Sequence, residues 1–414
     1  MSSAHLFSGF AARLQPWLAC PAPPLNDLQF DALARELFGL QFAHNEPYRR
    51  WCEACGATPA QVAHWTDVPA APTAAFKELD LSCLPRAART AVFHSSGTTG
   101  PRFSRHYHNA DSLALYEASL LPWFRAKVLL RPSPLAGCDL AILTPPRPQA
   151  PHSSLVHMFD TVRRELEAPP AAFLGEVSIS GAWALPAAAA IAALEHRCRA
   201  NRPVLLLGTA SLFVRLLDGL AERSLSLALP PGSRAIETGG YKGHSRRLPP
   251  AELHALISQR LGLPPALIIR EYGMTELSSQ AYDSAGAGAA APLGVPPAGG
   301  SVQLPPRDTA GPLVSPGEGA HTANHCLKAE RQTPRPFHFP PWARAQVVSP
   351  ETGRPVADGQ TGLLRLFDLA NVYSVMAIQT EDLAARRGDG FDLLGRAASV
   401  EPRGCSLMTL PGNE

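Results

Sequence analysis

His94-Ser95-Ser96-Gly97-Thr98-Thr99-Gly100 is the stretch from which the fold of this 414-residue chain can be predicted. An apolar run, Thr90-Ala91-Val92-Phe93, leads into it and predicts a buried strand. Glycine tolerates positive φ and lets a ligand approach the backbone, while Ser and Thr add hydroxyl donors. Such a loop can surround an anion with N–H and O–H groups. No Gly-Lys-Ser/Thr follows it, so it is not the phosphate loop of NTPases, and a flexible turn is the alternative interpretation.

Strand-like and helix-like segments alternate along the chain after this stretch. Short apolar runs predict strands over residues 140–144, 204–208, 234–237 and 267–270. Helical spacing and capping residues predict helices over residues 111–124, 187–196, 209–217 and 251–261. The alternation predicts an α/β fold with a largely parallel sheet. Because ligands bind beyond the carboxyl ends of such strands, we expect binding loops at 95–100, 238–243 and 272–276.

The composition divides the chain into four segments. Residues 1–89 predict a helical N-terminal region, and residues 90–283 predict the α/β core. Residues 284–333 are rich in Gly, Ala, Pro and Ser and poor in large apolar side chains, which predicts a low-complexity insertion. Residues 334–414 contain several short strand patterns and predict a β-rich lobe with a short C-terminal tail.

The charge and cysteine content exclude some classes of protein. The 37 basic and 35 acidic residues give a net charge of +2, which offers no argument for a nucleic-acid partner. No apolar run reaches the roughly 20 residues of a membrane span, and residues 1–20 lack the pattern of a signal peptide. Eight scattered cysteines do not form a disulfide framework. We therefore expect a cytoplasmic protein with reduced thiols.

Two cysteine and histidine patterns are weak candidates for metal sites. Cys52 and Cys55 form a lone CxxC within a helical pattern over residues 30–65, which Asn45-Glu46-Pro47 interrupts. A zinc site needs further ligands, so we interpret the pair as ordinary helix cysteines. His106 and His108 would share a face of a strand, but no third ligand is near in the sequence. No Gly-x-Ser-x-Gly elbow of a serine hydrolase is present.

Five motifs, in order, resemble the adenylate-forming superfamily of acyl-activating enzymes. More narrowly, the chain resembles the acyl-protein synthetases of bacterial bioluminescence, the long-chain-fatty-acid–luciferin-component ligase family. The motifs are Ser95–Gly100, Thr238-Gly239-Gly240-Tyr241-Lys242, Glu271-Tyr272-Gly273-Met274-Thr275-Glu276 with its continuation to Tyr282, Thr380-Glu381-Asp382, and Gly395-Arg396. The resemblance implies a fold like the N-terminal domain of adenylate-forming enzymes, with parallel-rich sheets, flanking helices and a small β-rich lobe. Because the chain ends shortly after Arg396, it also implies a truncated or minimal C-terminal domain.

The resemblance assigns a role to each motif. Ser95, Ser96, Gly97, Thr98, Thr99 and Gly100 would hold the β- and γ-phosphates of ATP. Gly239 and Gly240 would line the adenine and acyl pocket, and the Tyr272-Gly273-Met274 segment would pack on adenine. Thr275 would contact the α-phosphate and Glu276 would bind Mg²⁺. The remaining roles are ribose binding for Asp382, the domain junction for Arg396 and acyl acceptance for Cys405.

Each role has a simpler structural alternative. Asp382 could cap a helix, Glu276 could be a solvated surface residue and Arg396 could serve in a structural ion pair. Cys405 lies near Arg403, as a reactive thiolate would, but it could equally be a small core residue. The family's usual lysine after the phosphate loop is replaced by Pro101-Arg102-Phe103-Ser104, in which Arg102 could supply the charge.

The resemblance implies a magnesium- and ATP-dependent, AMP-forming ligase that converts a carboxylic acid, for this family a long-chain fatty acid, to an acyl-adenylate. The acyl group would pass to a thiol of the enzyme or of a partner such as an acyl-CoA-reductase-like subunit. The carboxylate nucleophile is already ionised, so the reaction needs positioning and charge stabilisation rather than a general base. The alternatives are an aryl- or acyl-CoA ligase of the phenylacetate type and a non-catalytic adenylate-binding protein.

Overall fold

The computed structural model describes residues 3–21, 24–95, 103–129, 138–240, 246–283 and 335–397. Its α-helices are α1 (Ser3–Ala19), α2 (Asp27–His44), α3 (Glu46–Ala54), α4 (Ala75–Glu78), α5 (Ala110–Val128), α6 (Ser154–Glu165), α7 (Ala187–Arg199), α8 (Ala210–Glu222) and α9 (Pro250–Leu261). Its strands are β1 (Ala71–Pro72), β2 (Ala91–His94), β3 (Arg105–His108), β4 (Asp139–Ile142), β5 (Glu176–Val177), β6 (Trp183–Ala184), β7 (Val204–Thr209), β8 (Arg234–Thr238), β9 (Ile268–Tyr272), β10 (Ala281–Tyr282), β11 (Ala343–Val348), β12 (Thr361–Asp368), β13 (Ala377–Arg387) and β14 (Gly390–Arg396). The predicted insertion at 284–333 lies outside the described residues.

A five-stranded sheet in the order β10-β9-β8-β7-β4 forms the α/β part of the molecule. Strands β4, β7, β8 and β9 run parallel, and β10 is antiparallel to β9. All six residues of β7 are buried, because helices cover both faces of the sheet. Leu205 and Leu207 pack with residues of α5 and α6, whereas Val204 and Leu206 pack with residues of α7, α8 and α9. The predicted strand–helix alternation and parallel sheet are confirmed.

Strand β2 belongs to a different sheet from the one we expected. Among the described strands it pairs with β3 alone, antiparallel, in a two-stranded sheet. Phe93 is buried, but the other three residues of β2 are only half-buried. The strand predicted over 90–93 is present at Ala91–His94, but the prediction that it is buried was wrong except at Phe93. A four-residue apolar run fits a hairpin strand with one covered face as well as a strand inside a parallel sheet.

The second large sheet has the order β1-β13-β12-β11, and β14 pairs with the later residues of β13 on the edge that faces away from β12, as β1 does with the earlier ones. Its inner face shares one hydrophobic core with α1, α2 and α3. The Trp65 and Phe367 rings meet edge to face at 4.8 Å in this core. The N-terminal helices and the strands of 343–396 are thus far apart in sequence but packed together in the fold.

The predicted break at Asn45-Glu46-Pro47 divides the helical pattern over residues 30–65 into α2 and α3. Asn45 ends α2 and caps α3, since its side chain accepts a hydrogen bond from the Tyr48 N–H. The prediction was wrong beyond Ala54, where α3 ends and Gly56 adopts a φ of 69°, a conformation that stops a helix. No helix in the described ranges is both long and apolar enough to cross a membrane.

Candidate active site

The candidate site is built around the segment that leaves β9 and crosses to β10. Tyr272 is the last residue of β9, and Met274–Leu277 form a turn closed by a hydrogen bond from the Leu277 N–H to the Met274 carbonyl (3.1 Å). The β2–β3 hairpin and the 368–376 segment, which connects β12 to β13, both contact this turn. Residues distant in sequence therefore meet at this turn.

Tyr272, Asp382 and Arg396 form a connected group beside the turn. The buried Tyr272 hydroxyl donates a hydrogen bond to Asp382 Oδ2 (2.8 Å). Asp382 lies in β13 directly opposite Arg396 of β14, and Arg396 Nε is 3.4 Å from Asp382 Oδ1. Asp382 is a strand residue, so the alternative that it caps a helix was wrong. Arg396 is 65% exposed in this ion pair, which leaves its guanidinium open to solvent.

The Tyr272 ring is held by aromatic neighbours from the β-rich part of the chain. Its centroid is 5.5 Å from that of Phe391 and 6.1 Å from those of Phe337 and Phe339, all in steep or edge-on arrangements. Burial and the nearby Asp382 carboxylate raise the pKa of Tyr272 well above its usual value. The phenol is therefore neutral and acts as a hydrogen-bond donor to Asp382.

Glu276 is 4% exposed, so the alternative that it is a solvated surface residue was wrong. Burial raises the pKa of this carboxyl, whereas a hydrogen bond with the Ser104 side chain and the positive charge of Arg396 act in the opposite direction. A cation bound beside this buried carboxyl would favour its ionised form. Among the described residues, no group of three or more His, Cys, Asp or Glu side chains could hold a metal by itself.

The two ends of the Ser/Thr/Gly loop meet close to Glu276. The Ser95 N–H donates to the Ser104 carbonyl (3.2 Å), and the Ser104 N–H donates to Ser95 Oγ (3.1 Å). The loop itself, including Ser96, Gly97, Thr98, Thr99 and Gly100 as well as Arg102, lies outside the described residues. Its anchor points place its ends beside the carboxylate that we expect to bind Mg²⁺.

Two predicted glycines lie at the same edge of the parallel sheet as Tyr272. Thr238 pairs with Glu271 in the β8–β9 register, so Gly239 and Tyr272 follow at neighbouring positions. No atom lies within 4 Å of a Cβ added at Gly239, and Gly240 has a φ of 134°. The two glycines therefore leave open space at the carboxyl end of β8. Met274 is partly buried and packs against the large hydrophobic core, and Thr275 is buried.

Three polar side chains that hold the turn were not predicted as site residues. His106 Nδ1 contacts the Thr275 carbonyl (2.8 Å), and Asn371 Nδ2 donates to the Glu276 carbonyl (2.9 Å). Asp368 accepts from the Ser278 N–H (2.9 Å) and from the Ser279 hydroxyl (2.8 Å). His106 and His108 do share one face of β3, which was the signal in the sequence, but the partner of His106 is a backbone carbonyl 169 residues away.

The cysteines in the described part of the chain form no metal-binding group. Cys52 is buried on α3 and Cys55 is exposed just beyond it, and both are free thiols. Burial raises the pKa of Cys52 to about 12, which leaves it an unreactive thiol at neutral pH. Cys405, the predicted acyl acceptor, lies outside the described residues.

Comparisons with known proteins support the fold. No model of a known protein family matches the chain. A stretch of 79 residues is 33% identical to the long-chain-fatty-acid–luciferin-component ligase of Aliivibrio fischeri, and it covers 17% of this chain and 21%, about one fifth, of that protein.

Solved structures of 2-hydroxyisobutyryl-CoA ligase are similar over most of the chain. The open form, in complex with 2-HIB-AMP and CoA, has a TM-score of 0.55 at 16% identity and covers 92% of this chain and 77% of that one. The postadenylation state, in complex with 2-HIB-AMP, has a TM-score of 0.56 at 14% identity and covers 92% and 70%. The predicted fold class is confirmed: the chain has the α/β fold of adenylate-forming enzymes.

Proposed function

We propose that this protein is an ATP-dependent, AMP-forming ligase that activates a carboxylic acid as its acyl-adenylate. The observation that carries the proposal is the meeting of four separated motifs around one turn. Ser104, at the end of the Ser/Thr/Gly loop, contacts Glu276. Tyr272, four residues before Glu276, binds Asp382, which pairs with Arg396. Such a site offers hydroxyl and backbone donors, one carboxylate for a metal and one carboxylate for a sugar.

The residues present fit a magnesium ion bound through the substrate. Glu276 is a buried carboxylate, and Mg²⁺ commonly takes one or two protein carboxylates together with phosphate oxygens. When bound, Mg²⁺ neutralises phosphate charge and stabilises the charge that develops on the leaving pyrophosphate. The protein's part is to keep Glu276 ionised and fixed beside the ends of the 95–104 loop.

The other residues would orient the nucleotide. Asp382 of β13 has two acceptor oxygens, and these suit the paired hydroxyls of a ribose. Gly239 and Gly240 leave room at the rim of β8 for a flat base beside Tyr272. Thr275 would donate to the α-phosphate, and Arg396 would contribute positive charge from the domain junction.

The chemistry requires no side chain to remove a proton. A carboxylate oxygen of the acid attacks the α-phosphorus of ATP, a new P–O bond forms, and the bond to pyrophosphate breaks. The products are the acyl-adenylate and pyrophosphate. This accounts for a site made of donors and one metal-binding carboxylate, in which positioning and charge stabilisation lower the barrier.

For the acid we propose a long-chain fatty acid, and for the acceptor a thiol. The 79-residue similarity to the long-chain-fatty-acid–luciferin-component ligase of Aliivibrio fischeri supports the choice of acid. A thiolate, of Cys405 or of a partner such as an acyl-CoA-reductase-like subunit, would attack the acyl carbonyl and release AMP. The second candidate acceptor is CoA, which the similar 2-hydroxyisobutyryl-CoA ligase structure contains.

Isotope exchange between pyrophosphate and ATP tests the first step. The protein is incubated with Mg²⁺, ATP and labelled pyrophosphate, together with fatty acids of graded length and with aromatic acids. We expect exchange that depends on one class of acid, with long-chain fatty acids the most active. Nucleotide binding without exchange for any acid would favour the non-catalytic alternative.

A second assay identifies the acceptor. With labelled acid and ATP, we expect acid-stable labelling of the protein that hydroxylamine removes and that Cys405→Ala abolishes, while exchange continues. Retained labelling in Cys405→Ala would exclude this cysteine. AMP release that saturates with added CoA would identify CoA as the acceptor instead.

A further inference from the structure

The turn that carries Thr275 and Glu276 has two carbonyls that its own backbone cannot satisfy. The closing hydrogen bond runs from the Leu277 N–H to the Met274 carbonyl. The carbonyls of the two central residues, Thr275 and Glu276, take no part in that bond and therefore need partners from elsewhere. Both residues are buried, so water is a poor substitute.

Side chains from two different elements supply these partners. His106 of β3 lies with its Nδ1 2.8 Å from the Thr275 carbonyl. Asn371, in the 368–376 segment, donates to the Glu276 carbonyl (2.9 Å) and to the Val375 carbonyl (2.7 Å). Because a carbonyl has no proton, His106 must carry its proton on Nδ1. Two successive carbonyls are thereby fixed by side chains from different elements.

The residue that immediately precedes β3 contacts the turn as well. Ser104, two residues before His106, forms a hydrogen bond with the Glu276 carboxylate. Residues 104–106 thus contact both the backbone of the turn and the side chain that it presents. Burial lowers the pKa of His106 to about 4, so the ring stays neutral and its donor persists throughout the neutral pH range.

We propose that His106 is a positioning residue, whose Nδ1–H aims Thr275 and Glu276 at the nucleotide phosphates and the metal. The inference rests on the proposed function, since it concerns the residues that would bind Mg²⁺·ATP. It adds to that function a residue that has no contact with substrate of its own. His106 acts through the Thr275 carbonyl.

Two substitutions separate the Nδ1 donor from the bulk of the ring. In His106→Asn the side-chain amide N–H can occupy the place of Nδ1–H. In His106→Gln the amide extends to the place of Nε2 and cannot reach the carbonyl in the same way. His157→Asn is the matched control, because His157 is equally buried but lies on α6 and has no contact with the turn.

Two measurements are made on each full-length variant. Hydrogen–deuterium exchange of the peptide spanning 273–280 reports on the turn without nucleotide. Binding of Mn²⁺ with a non-hydrolysable ATP analogue, followed by the loss of the free Mn²⁺ EPR signal, reports on the metal and phosphate site. We expect His106→Asn and His157→Asn to behave as wild type within about 3-fold. We expect His106→Gln to exchange faster in this peptide and to bind at least 10-fold more weakly.

Equal exchange and equal Mn²⁺ binding in wild type and His106→Gln would overturn the proposal. Equal defects in His106→Asn and His106→Gln would also overturn it, since packing rather than the donor would then matter. If wild type binds no Mn²⁺–nucleotide complex, the proposed function fails and the positioning of the metal site fails with it. Faster exchange in His106→Gln than in His106→Asn would still show that the Nδ1 donor holds the turn.

Discussion

At the scale of single residues, the candidate site is unusual for its buried carboxyl groups. Glu271, Glu276 and Asp368 are all nearly inaccessible to solvent, and burial raises the pKa of each, to about 7 for Glu271 and about 6 for Asp368. For Asp368, hydrogen bonds from Ser278 and Ser279 oppose the effect of burial on its pKa. Burial disfavours the ionised form of each of these carboxyl groups, and a metal ion or a cationic group bound nearby would stabilise it.

Glu271 makes folding stability depend on pH. Its pKa rises from 4.5 to about 7 on folding, so the folded protein binds more protons than the unfolded chain between these values. Stability therefore falls as pH rises through this window, by about 3 kcal/mol at roughly 1.4 kcal/mol per pH unit. Gln does not ionise, so Glu271→Gln removes this fall in folding stability with rising pH. Urea unfolding should show the variant gaining about 3 kcal/mol relative to wild type between pH 4.5 and pH 8; a difference that does not change with pH would contradict this.

Glu276→Gln tests the metal-binding carboxylate. The substitution keeps the shape of the side chain but removes its negative charge, so Mg²⁺ loses its protein ligand. We expect pyrophosphate exchange to fall by roughly 100-fold, a typical loss for one group that stabilises transition-state charge. Glu271→Gln removes a neighbouring buried carboxyl to which no metal or nucleotide role is assigned, so it is the control and should lose less than about 5-fold. Similar activities for the two variants would remove Glu276 from the mechanism.

The sequence predicts some of these residues and not others for a physical reason. Glu276 and Asp382 stand in short motifs, so their type and place can be read locally. His106 also stands out in the sequence, beside His108, but only as a weak candidate for metal binding. Its partner is the Thr275 carbonyl, and a contact with a backbone atom so far along the chain leaves no local pattern.

At the scale of elements, the site depends on a tight turn between β9 and β10. Strand periodicity predicts β9, but it does not show how closely the chain folds back after Tyr272. A Cβ added at Gly273 would lie 2.3 Å from Glu271 Oε1 and 3.5 Å from Gln280 Cγ. Only glycine fits beside the Glu271 carboxyl without a shift of the backbone or of that buried side chain.

Gly273→Ala should therefore destabilise the protein by about 1–3 kcal/mol, the usual range for overpacking. Gly239→Ala is the matched control for stability, because this glycine also follows a strand and nothing lies within 4 Å of its added Cβ. Denaturant unfolding of both variants gives the comparison. Equal stability of the two would show that the Glu271 side chain moves aside at little cost.

The hairpin β2–β3 is the element that sequence reasoning placed least well. The apolar run before the Ser/Thr/Gly loop predicts a strand correctly, but not its partner. Pairing with β3 brings Ser95 and Ser104 together and places Ser104 near Glu276. Strand partners are chosen by packing over the whole fold, which a local apolar run does not specify.

At the scale of the whole molecule, the N-terminal helices and the 343–396 strands share one core. Phe38 of α2 is fully buried in it, together with Trp342, Leu364 and Phe367. Three buried hydrogen bonds add to the packing, from Gln41 Nε2 to the Asn371 and Val372 carbonyls and from the Met376 N–H to Gln41 Oε1. Helix α2 thereby supports the segment that carries Asn371, far from it in sequence.

Phe38→Ala should loosen the strands as well as the helices. A buried Phe→Ala change costs about 3–5 kcal/mol through lost burial and a residual cavity. We expect hydrogen exchange to speed up in β12 and β13 as much as in α2. Faster exchange confined to α1, α2 and α3 would show that the two parts unfold independently.

The central claim is that the acid attacks the α-phosphorus of ATP at this site. The most direct test uses the acid that best supports exchange, labelled with ¹⁸O in both carboxylate oxygens, and mass analysis of the nucleotide after turnover to the thiol. The account predicts one ¹⁸O atom in the phosphate of AMP and none in pyrophosphate. Label in inorganic phosphate, with ADP as the nucleotide product, would contradict it.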